Sequence, residues 1–261
     1  MKMGKNIKAV ILDWAGTTVD FGSMAPVAAF RKAFSYVGLA PEDVLIRRFM
    51  GMPKKDHVRN MLFDVVISDA FATLYGNAPG EKDVEEIYGN FEPALFDVLK
   101  EHAEPLPGVT ETVEKLRKAG ILIGSTTGYT KAMMDVLCPV SADLGYAPDC
   151  LVCPDDVDGT GRPYPYMLWE NLRRLKIEKI KEVVKIGDTA VDILEGKNAG
   201  CLSIGVVQGS NMLGLSCEEY EKATLAEREE LADYARKKYA EAGADHIIES
   251  FSDLPSFLES L

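Results

Sequence analysis

The sequence predicts an α/β protein: a doubly wound, Rossmann-like parallel sheet core with a helical cap domain inserted after the first strand. Three observations carry that reading. Four apolar residues, Ala9 to Leu12, run directly into Asp13 and a turn, the pattern of a strand buried on both faces of a parallel sheet. From Val109 onward, short apolar runs alternate with helical stripes, which requires right-handed crossovers and a sheet covered on both sides. Residues 22–104, between these regions, carry helical stripes and no convincing strand.

After the first strand, "DFGS" reads as a linker, and Val27, Phe30, Phe34 and Val37 form the first helical stripe. Val58, Met61, Leu62 and Val65 form a later one. Pro105, Pro107 and Gly108 mark the return. The expected division is therefore a core of residues 1–21 and 105–261 and a cap of residues 22–104, able to close over the sheet edge. Val109, Val113, Leu116 and Ala119 spell a helix stopped by Gly120, and "ILIGS" follows as a strand. Met133, Met134 and Leu137 lie on the next helix, "CLVC" on the next strand, and Leu168, Leu172 and Leu175 on another helix. The strand "EVVKIGD", the helix "TAVDILEGKNAG" and the strand "LSIGVV" continue the alternation. Residues 223–242 read as a charged amphipathic helix ended by Gly243, a solvated face to which no chemistry is assigned.

Composition narrows the function classes. The formal charge of −12 leaves no electrostatic footprint for nucleic acid or an anionic membrane, so an anionic ligand must be small and met locally. Lys2, Lys5 and Lys8 precede an apolar run that Asp13 interrupts too soon for a signal-peptide core, and no stretch is long enough to span a bilayer. A cytoplasmic location is expected. The five cysteines are an odd count, which argues against a disulfide framework. Cys150 and Cys153 form a C-x-x-C, but no second Cys or His pair completes a metal site, and "CLVC" reads as a strand.

In a doubly wound sheet, ligands bind beyond the carboxyl ends of the strands. The residues at those ends are Asp13 after the first strand, Thr126, Thr127 and Gly128 after "ILIGS", Arg162 in "GRPYP", and Asp188 after "VVKIG", with Asp192 four residues on. Each alone has an ordinary reading, since a lone Asp is commonly a turn-former or helix cap and Thr-Gly pairs are common loop residues. Together they suit phosphoryl transfer. Asp13 and Asp188, with a backbone carbonyl, suit a hard Mg²⁺. Thr127, nearby backbone N–H groups and the planar donors of Arg162 suit phosphoryl oxygens.

In "AVILDWAGTTVD" the residue two after Asp13 is Ala15, where an Asp-x-Asp-Gly-Thr signature has its second carboxylate. The chain resembles the haloacid dehalogenase superfamily over nearly its full length. Within it, "DWAGTTVDFG", "MGMPKKDHV", "GSTTGYT", "PDDVDGTGRPYP" and "KIGDTAVD" resemble the phosphonatases. That resemblance implies Mg²⁺-dependent hydrolysis of the C–P bond of phosphonoacetaldehyde to acetaldehyde and phosphate. It also implies an aspartyl-phosphate intermediate on Asp13, an imine-forming lysine, the Ala15 carbonyl as a metal ligand, and a homodimer formed through the cap.

The missing acid then has a chemical reason. A phosphate ester expels an oxygen that needs a proton, which a carboxyl group can supply. A phosphonate must expel carbon, and a protonated lysine imine provides the electron sink for that step. In "GMPKKDHVRNMLFDVV" the candidates are Lys54 and Lys55, with Pro53 suited to the first helical position. At about 100° per residue, Lys54 shares a face with Val58, Met61 and Val65, while Lys55 sits at the border of that face beside Leu62. Desolvation and the positive helix end both favour a free amine at Lys54. Motif register in the resemblance selects Lys54 as well. His57, one turn on, is expected to pass protons through water, and Met50 to line the pocket or pack in the core. Asp192 is expected behind these groups, orienting metal-bound water or Lys and Arg partners.

The small-molecule partner is thus a phosphonate. A phosphomonoesterase or phosphomutase would want an acid at position 15, and a non-catalytic homologue would have no use for Asp13, Asp188, Thr127 and Arg162 together. A phospho-acceptor signalling domain would need no large helical insertion.

Overall fold

β1 (Ala9–Leu12) is fully buried along its whole length, which only a central strand of a covered parallel sheet allows. The computed structural model describes residues 7–261; Lys2 and Lys5 lie outside them. Five helices follow β1 before the chain returns to the sheet: α1 (Met24–Ser35), α2 (Asp43–Arg48), α3 (Lys54–Leu62), α4 (Val65–Tyr75) and α5 (Glu81–Val98). A 3-10 turn, Leu99–His102, ends this segment. The apolar stripe of α1 packs on α5, where the Phe30 and Phe91 rings stack at 4.3 Å. Removing either aromatic from such a contact costs about 3–5 kcal/mol.

The remainder alternates helix and strand: α6 (Val109–Lys118), β2 (Leu122–Thr126), α7 (Lys131–Asp143), β3 (Cys150–Val152), α8 (Tyr166–Leu175), β4 (Val183–Gly187), α9 (Ala190–Ala199) and β5 (Leu202–Val206). Next come α10 (Cys217–Lys222), α11 (Leu225–Glu241), β6 (His246–Ile248) and α12 (Leu254–Ser260). All neighbouring strands are parallel, in the order β3-β2-β1-β4-β5-β6. Strand order reverses at β1, so the crevice opens beyond β1 and β4. Register fixes what meets there: Leu12 lies opposite Ser125 and Ile186, and the Asp13 N–H donates to the Ile186 carbonyl at 3.0 Å. Asp13 and Asp188 therefore emerge side by side.

The two passages between sheet and helices run together. Val19 bridges Pro105, and the Leu106 N–H donates to the Thr18 carbonyl at 2.9 Å. Asp20 caps α1 by accepting from the N–H groups of Met24 and Ala25, at 3.0 and 3.1 Å, and also pairs with His102 at 2.9 Å.

Two expectations need correction. The stripe from Lys54 does not reach Val65: α3 ends at Leu62, and Asp64 caps a new helix by accepting from the Val66 N–H, leaving Val65 73% exposed. A helix N-cap competes with helix continuation, and here it wins. Pro53 lies just before α3 in an extended conformation rather than inside its first turn. The edge strand β6 and the closing α12 carry too short a pattern, three and seven residues, to stand out in the sequence. Among the described residues no helix is long and apolar enough to cross a membrane, and Cys138, Cys150, Cys153, Cys201 and Cys217 are all free.

Candidate active site

A small pocket opens beyond the carboxyl ends of β1, β2 and β4, lined by Asp13, Ala15, Met50, Gly51, Lys54, Thr127, Gly128, Tyr129, Arg162 and Thr189. Seven of the residues singled out from the sequence meet there: Asp13, Ala15, Met50, Lys54, Thr127, Gly128 and Arg162. Asp13 comes from the end of β1, Thr127 and Gly128 from the loop after β2, and Lys54 from the first residue of α3.

The helical segment reaches the sheet through a close backbone contact. A side-chain carbon on Gly128 would come within 2.4 Å of the Met52 carbonyl oxygen, and one on Gly51 within 2.5 Å of the Thr189 hydroxyl. Gly51 also has φ +88°, a conformation that L-residues with side chains rarely adopt. This close approach leaves Lys54 and Asp13 lining one pocket.

Lys54 is buried, with its ammonium 4.8 Å from the centre of the Tyr129 ring and 6.0 Å from that of Phe30. Burial disfavours the charged form; Asp13 opposes that effect, Arg162 adds to it, and the Lys54 pKa falls from 10.5 to about 8. Lys55 is its opposite: it stands 41% exposed and pairs with Glu85 at 2.5 Å.

His57 lies behind Lys54, outside the pocket lining. Its Nε2 is 2.7 Å from the Ile46 carbonyl oxygen, which makes Nε2 the protonated nitrogen and leaves Nδ1, without a protein partner, as a bare acceptor. Burial, and then the Lys54 charge, push the imidazole well below its usual pKa, so it is neutral. The Phe30 ring lies 3.9 Å away and fixes its plane.

Arg162 is buried, with acceptors around each of its nitrogens. Nη2 donates to Asp13 Oδ1 at 2.7 Å, to the Thr126 carbonyl at 2.7 Å and to the Thr126 hydroxyl at 2.8 Å. Nε donates to Glu195 at 3.0 Å, and Nη1 reaches Asp192 at 3.0 Å. Burial works against this charge, but Asp13, Asp192 and Glu195 outweigh it and hold the guanidinium above its usual pKa. Thr126, expected among the phosphoryl contacts, instead turns its hydroxyl toward Arg162, Glu195 and Lys185, behind the pocket.

The chemistry of the carboxylates fits a hard cation. Oxygens of Asp13, Asp188 and Asp192 lie within 4.8 Å of one another, all buried. Asp188 feels burial first and then the charges of Asp13 and Asp192, which push its pKa well above the carboxylate range. Asp192 is different: burial would raise it, but Arg162 and Lys185 pull it below its usual value. Asp13 pairs with Arg162, and Asp192 with Arg162 and Lys185, so among the described residues Asp188 is the member of the cluster with no ion pair, and Ala15 lines the pocket beside Asp13. Asp188 is held there by the Asn211 N–H at 2.7 Å and the Thr17 hydroxyl at 3.1 Å.

Sequence reasoning missed Tyr129, Lys185 and Glu195. Lys185 had a legible signal, a lysine inside the otherwise apolar "VVKIG", since a strand buried on both faces keeps a charge only if it is paired. Glu195 had none, because a mid-helix glutamate is ordinarily solvent-facing.

Comparison with known proteins fits this geometry. The sequence profile of haloacid dehalogenase-like hydrolases matches residues 7–200, and a HAD-hydrolase-like profile matches residues 159–254. The chain is 44% identical over 253 residues to a Bacillus cytotoxicus protein named phosphonoacetaldehyde hydrolase, with 97% of this chain and 96% of that one covered. It is 44% identical over 255 residues to a Clostridioides difficile protein named bifunctional phosphonoacetaldehyde hydrolase/aminoethylphosphonate transaminase, covering 98% of this chain but only 40% of that longer protein. The crystal structure of a phosphonoacetaldehyde hydrolase-like protein from Oleispira antarctica superposes with a TM-score of 0.95 at 33% identity, covering 100% of this chain and 94% of that one.

Proposed function

The chain belongs to the phosphonoacetaldehyde hydrolases of the haloacid dehalogenase-like family, and from that membership we propose that it cleaves the C–P bond of phosphonoacetaldehyde through an imine on Lys54. The observation that carries this reading is one pocket in which a buried amine of pKa about 8 shares the wall with Asp13 and Arg162, while Ala15 stands where an ester hydrolase needs its acid.

The free amine of Lys54 adds to the aldehyde, and the carbinolamine takes up a proton and expels water, giving a protonated imine. An oxygen of Asp13 attacks phosphorus; the P–C bond breaks, and its electron pair flows into the iminium to form an enamine. Arg162 Nη2, already beside Asp13, and the Thr127–Gly128 loop hold the phosphoryl oxygens in line. Water then hydrolyses the aspartyl phosphate, the enamine takes a proton on carbon, and the imine hydrolyses to release acetaldehyde. The bare Nδ1 of His57 passes protons through water, and Met50 closes the pocket around the carbon chain. Asp13, Asp188 and the Ala15 carbonyl would hold Mg²⁺, which would supply charge neutralisation for the approach of a carboxylate to an anionic phosphoryl group. Asp192 acts from behind on Lys185 and Arg162.

In this reading residues 22–104 are the cap over a core of residues 1–21 and 105–261, and the closure seam is the Gly51–Gly128 contact. A homodimer through the cap is part of the same proposal. Exposed Phe63, Val65, Val66, Leu74 and Tyr75 leave apolar surface there for a second copy, a point that light scattering checks. The free cysteines fit a reducing cytoplasm.

Turnover decides the reading. Phosphate release from phosphonoacetaldehyde, with little from phosphate monoesters of similar size, is expected; preferential ester hydrolysis would overturn it.

A further inference from the structure

Two buried cations of this site share one set of acceptors. Arg162 reaches Asp192 Oδ1 at 3.0 Å, Glu195 Oε2 at 3.0 Å and the Thr126 hydroxyl at 2.8 Å. Lys185, from the middle of β4, reaches the same three atoms, at 2.8, 3.3 and 3.1 Å. Neither cation has solvent-exposed side-chain surface. Space for the Lys185 stem exists because residue 196 is glycine, where an added carbon would lie 2.9 Å from Lys185 Cβ.

The charges explain why a second cation is needed. Arg162 faces three carboxylates, Asp13, Asp192 and Glu195. With no other cation, the attraction of Asp192 and Glu195 would fall on the guanidinium alone, and their excess negative charge would oppose an incoming phosphoryl dianion in a low-dielectric interior. A lysine bound to those two carboxylates removes that excess without approaching the pocket, whose lining does not include it.

We propose that Lys185 is a positioning residue for Arg162: it neutralises Asp192 and Glu195 from behind, so that the guanidinium keeps its Nη2 corner beside Asp13, at the edge where the phosphoryl group would sit. The proposal rests on the reading that the phosphoryl group sits against Arg162 and Thr127, but not on the imine.

Its test uses two probes on the full chain with Mg²⁺ present. Inorganic phosphate binding, measured by calorimetry, reads the anion subsite; borohydride trapping of acetaldehyde on Lys54 reads the amine without any phosphoryl group. Lys185→Met is expected to weaken phosphate binding at least ~10-fold while acetaldehyde trapping stays within about 2-fold of the parent. Lys185→Met combined with Glu195→Gln removes one charge of each sign and is expected to recover at least ~3-fold of the lost phosphate affinity. Unchanged phosphate binding in Lys185→Met, a double variant no better than the single one, or parallel loss of both probes would overturn the proposal. Absence of trapping in the parent protein would count against the imine reading alone, because phosphate binding does not need it.

Discussion

The Lys54 ammonium stands 4.8 Å from the centre of the Tyr129 ring, and both side chains are buried in the wall of the same pocket as Asp13. An aromatic face attracts a cation weakly, worth about 0.5–2 kcal/mol, but removal from water costs the ammonium more. Burial outweighs the pull of Asp13, and the amine is left with a pKa of about 8 in place of 10.5.

That balance sets a pH dependence. The initial rate of imine trapping with acetaldehyde is expected to rise roughly tenfold per pH unit below about 8 and to level off above it, since only the free amine adds to the aldehyde. The linkage to folding has the same sign. The folded pKa lies below the unfolded one, so the group penalises the folded state below about 8, and the penalty is relieved as pH rises from about 8 toward 10.5. A trapping rate flat from pH 6 to 9 would contradict the buried free amine.

The two neighbouring lysines are expected to behave differently. Lys54→Met should lower kcat/KM by at least about 10³-fold without lowering the unfolding temperature, because a buried charge is replaced by an apolar chain of similar length. Lys55→Ala removes an exposed pair with Glu85 and should change kcat/KM by less than about 3-fold and stability by less than about 1 kcal/mol. Steady-state kinetics with thermal melts of both variants decides between them.

Much of this was legible in the sequence. Strands that end abruptly at Asp13, Thr126 and Asp188 announce a sheet edge, because a run buried on both faces leaves no other place for polar side chains. The face of Lys54 was legible for the same reason, from its spacing to Val58 and Met61. The break at Asp64 was not, because an N-cap and a helical stripe occupy the same residues and only packing decides between them. Nor was the inward turn of Thr126, since a strand pattern gives the face of a side chain but not the buried Lys185 and Glu195 that wait behind it.

Seating of the helical segment depends on bare backbone. Gly128→Ala would set a methyl 2.4 Å from the Met52 carbonyl oxygen, forcing the Met50–Pro53 loop away from Asp13. A fall of about 10²-fold in kcat/KM is expected, as for displacements near 1 Å at a reacting centre, with the melting temperature little changed. Unaltered kinetics would mean that this contact does not set the distance between Lys54 and Asp13.

Metal removal tests the carboxylate pair. Chelation is expected to abolish turnover and Mg²⁺ to restore it, with a rise in melting temperature on Mg²⁺ addition because the ion binds the folded state. Asp188→Asn should remove the Mg²⁺-induced rise and raise the melting temperature of the metal-free protein, since Asp13 and Asp192 crowd the Asp188 carboxyl. A Mg²⁺-induced rise that survives in Asp188→Asn would place the ion elsewhere.

The most direct measurement is borohydride reduction of the protein during incubation with phosphonoacetaldehyde and Mg²⁺, followed by peptide mass spectrometry, with phosphate assayed in an unreduced sample. Trapped mass on the peptide at Lys54, lost in Lys54→Met, together with phosphate release, is the expected result. Phosphate release with no adduct on Lys54, or an adduct on Lys55 instead, would contradict the imine route through the buried amine.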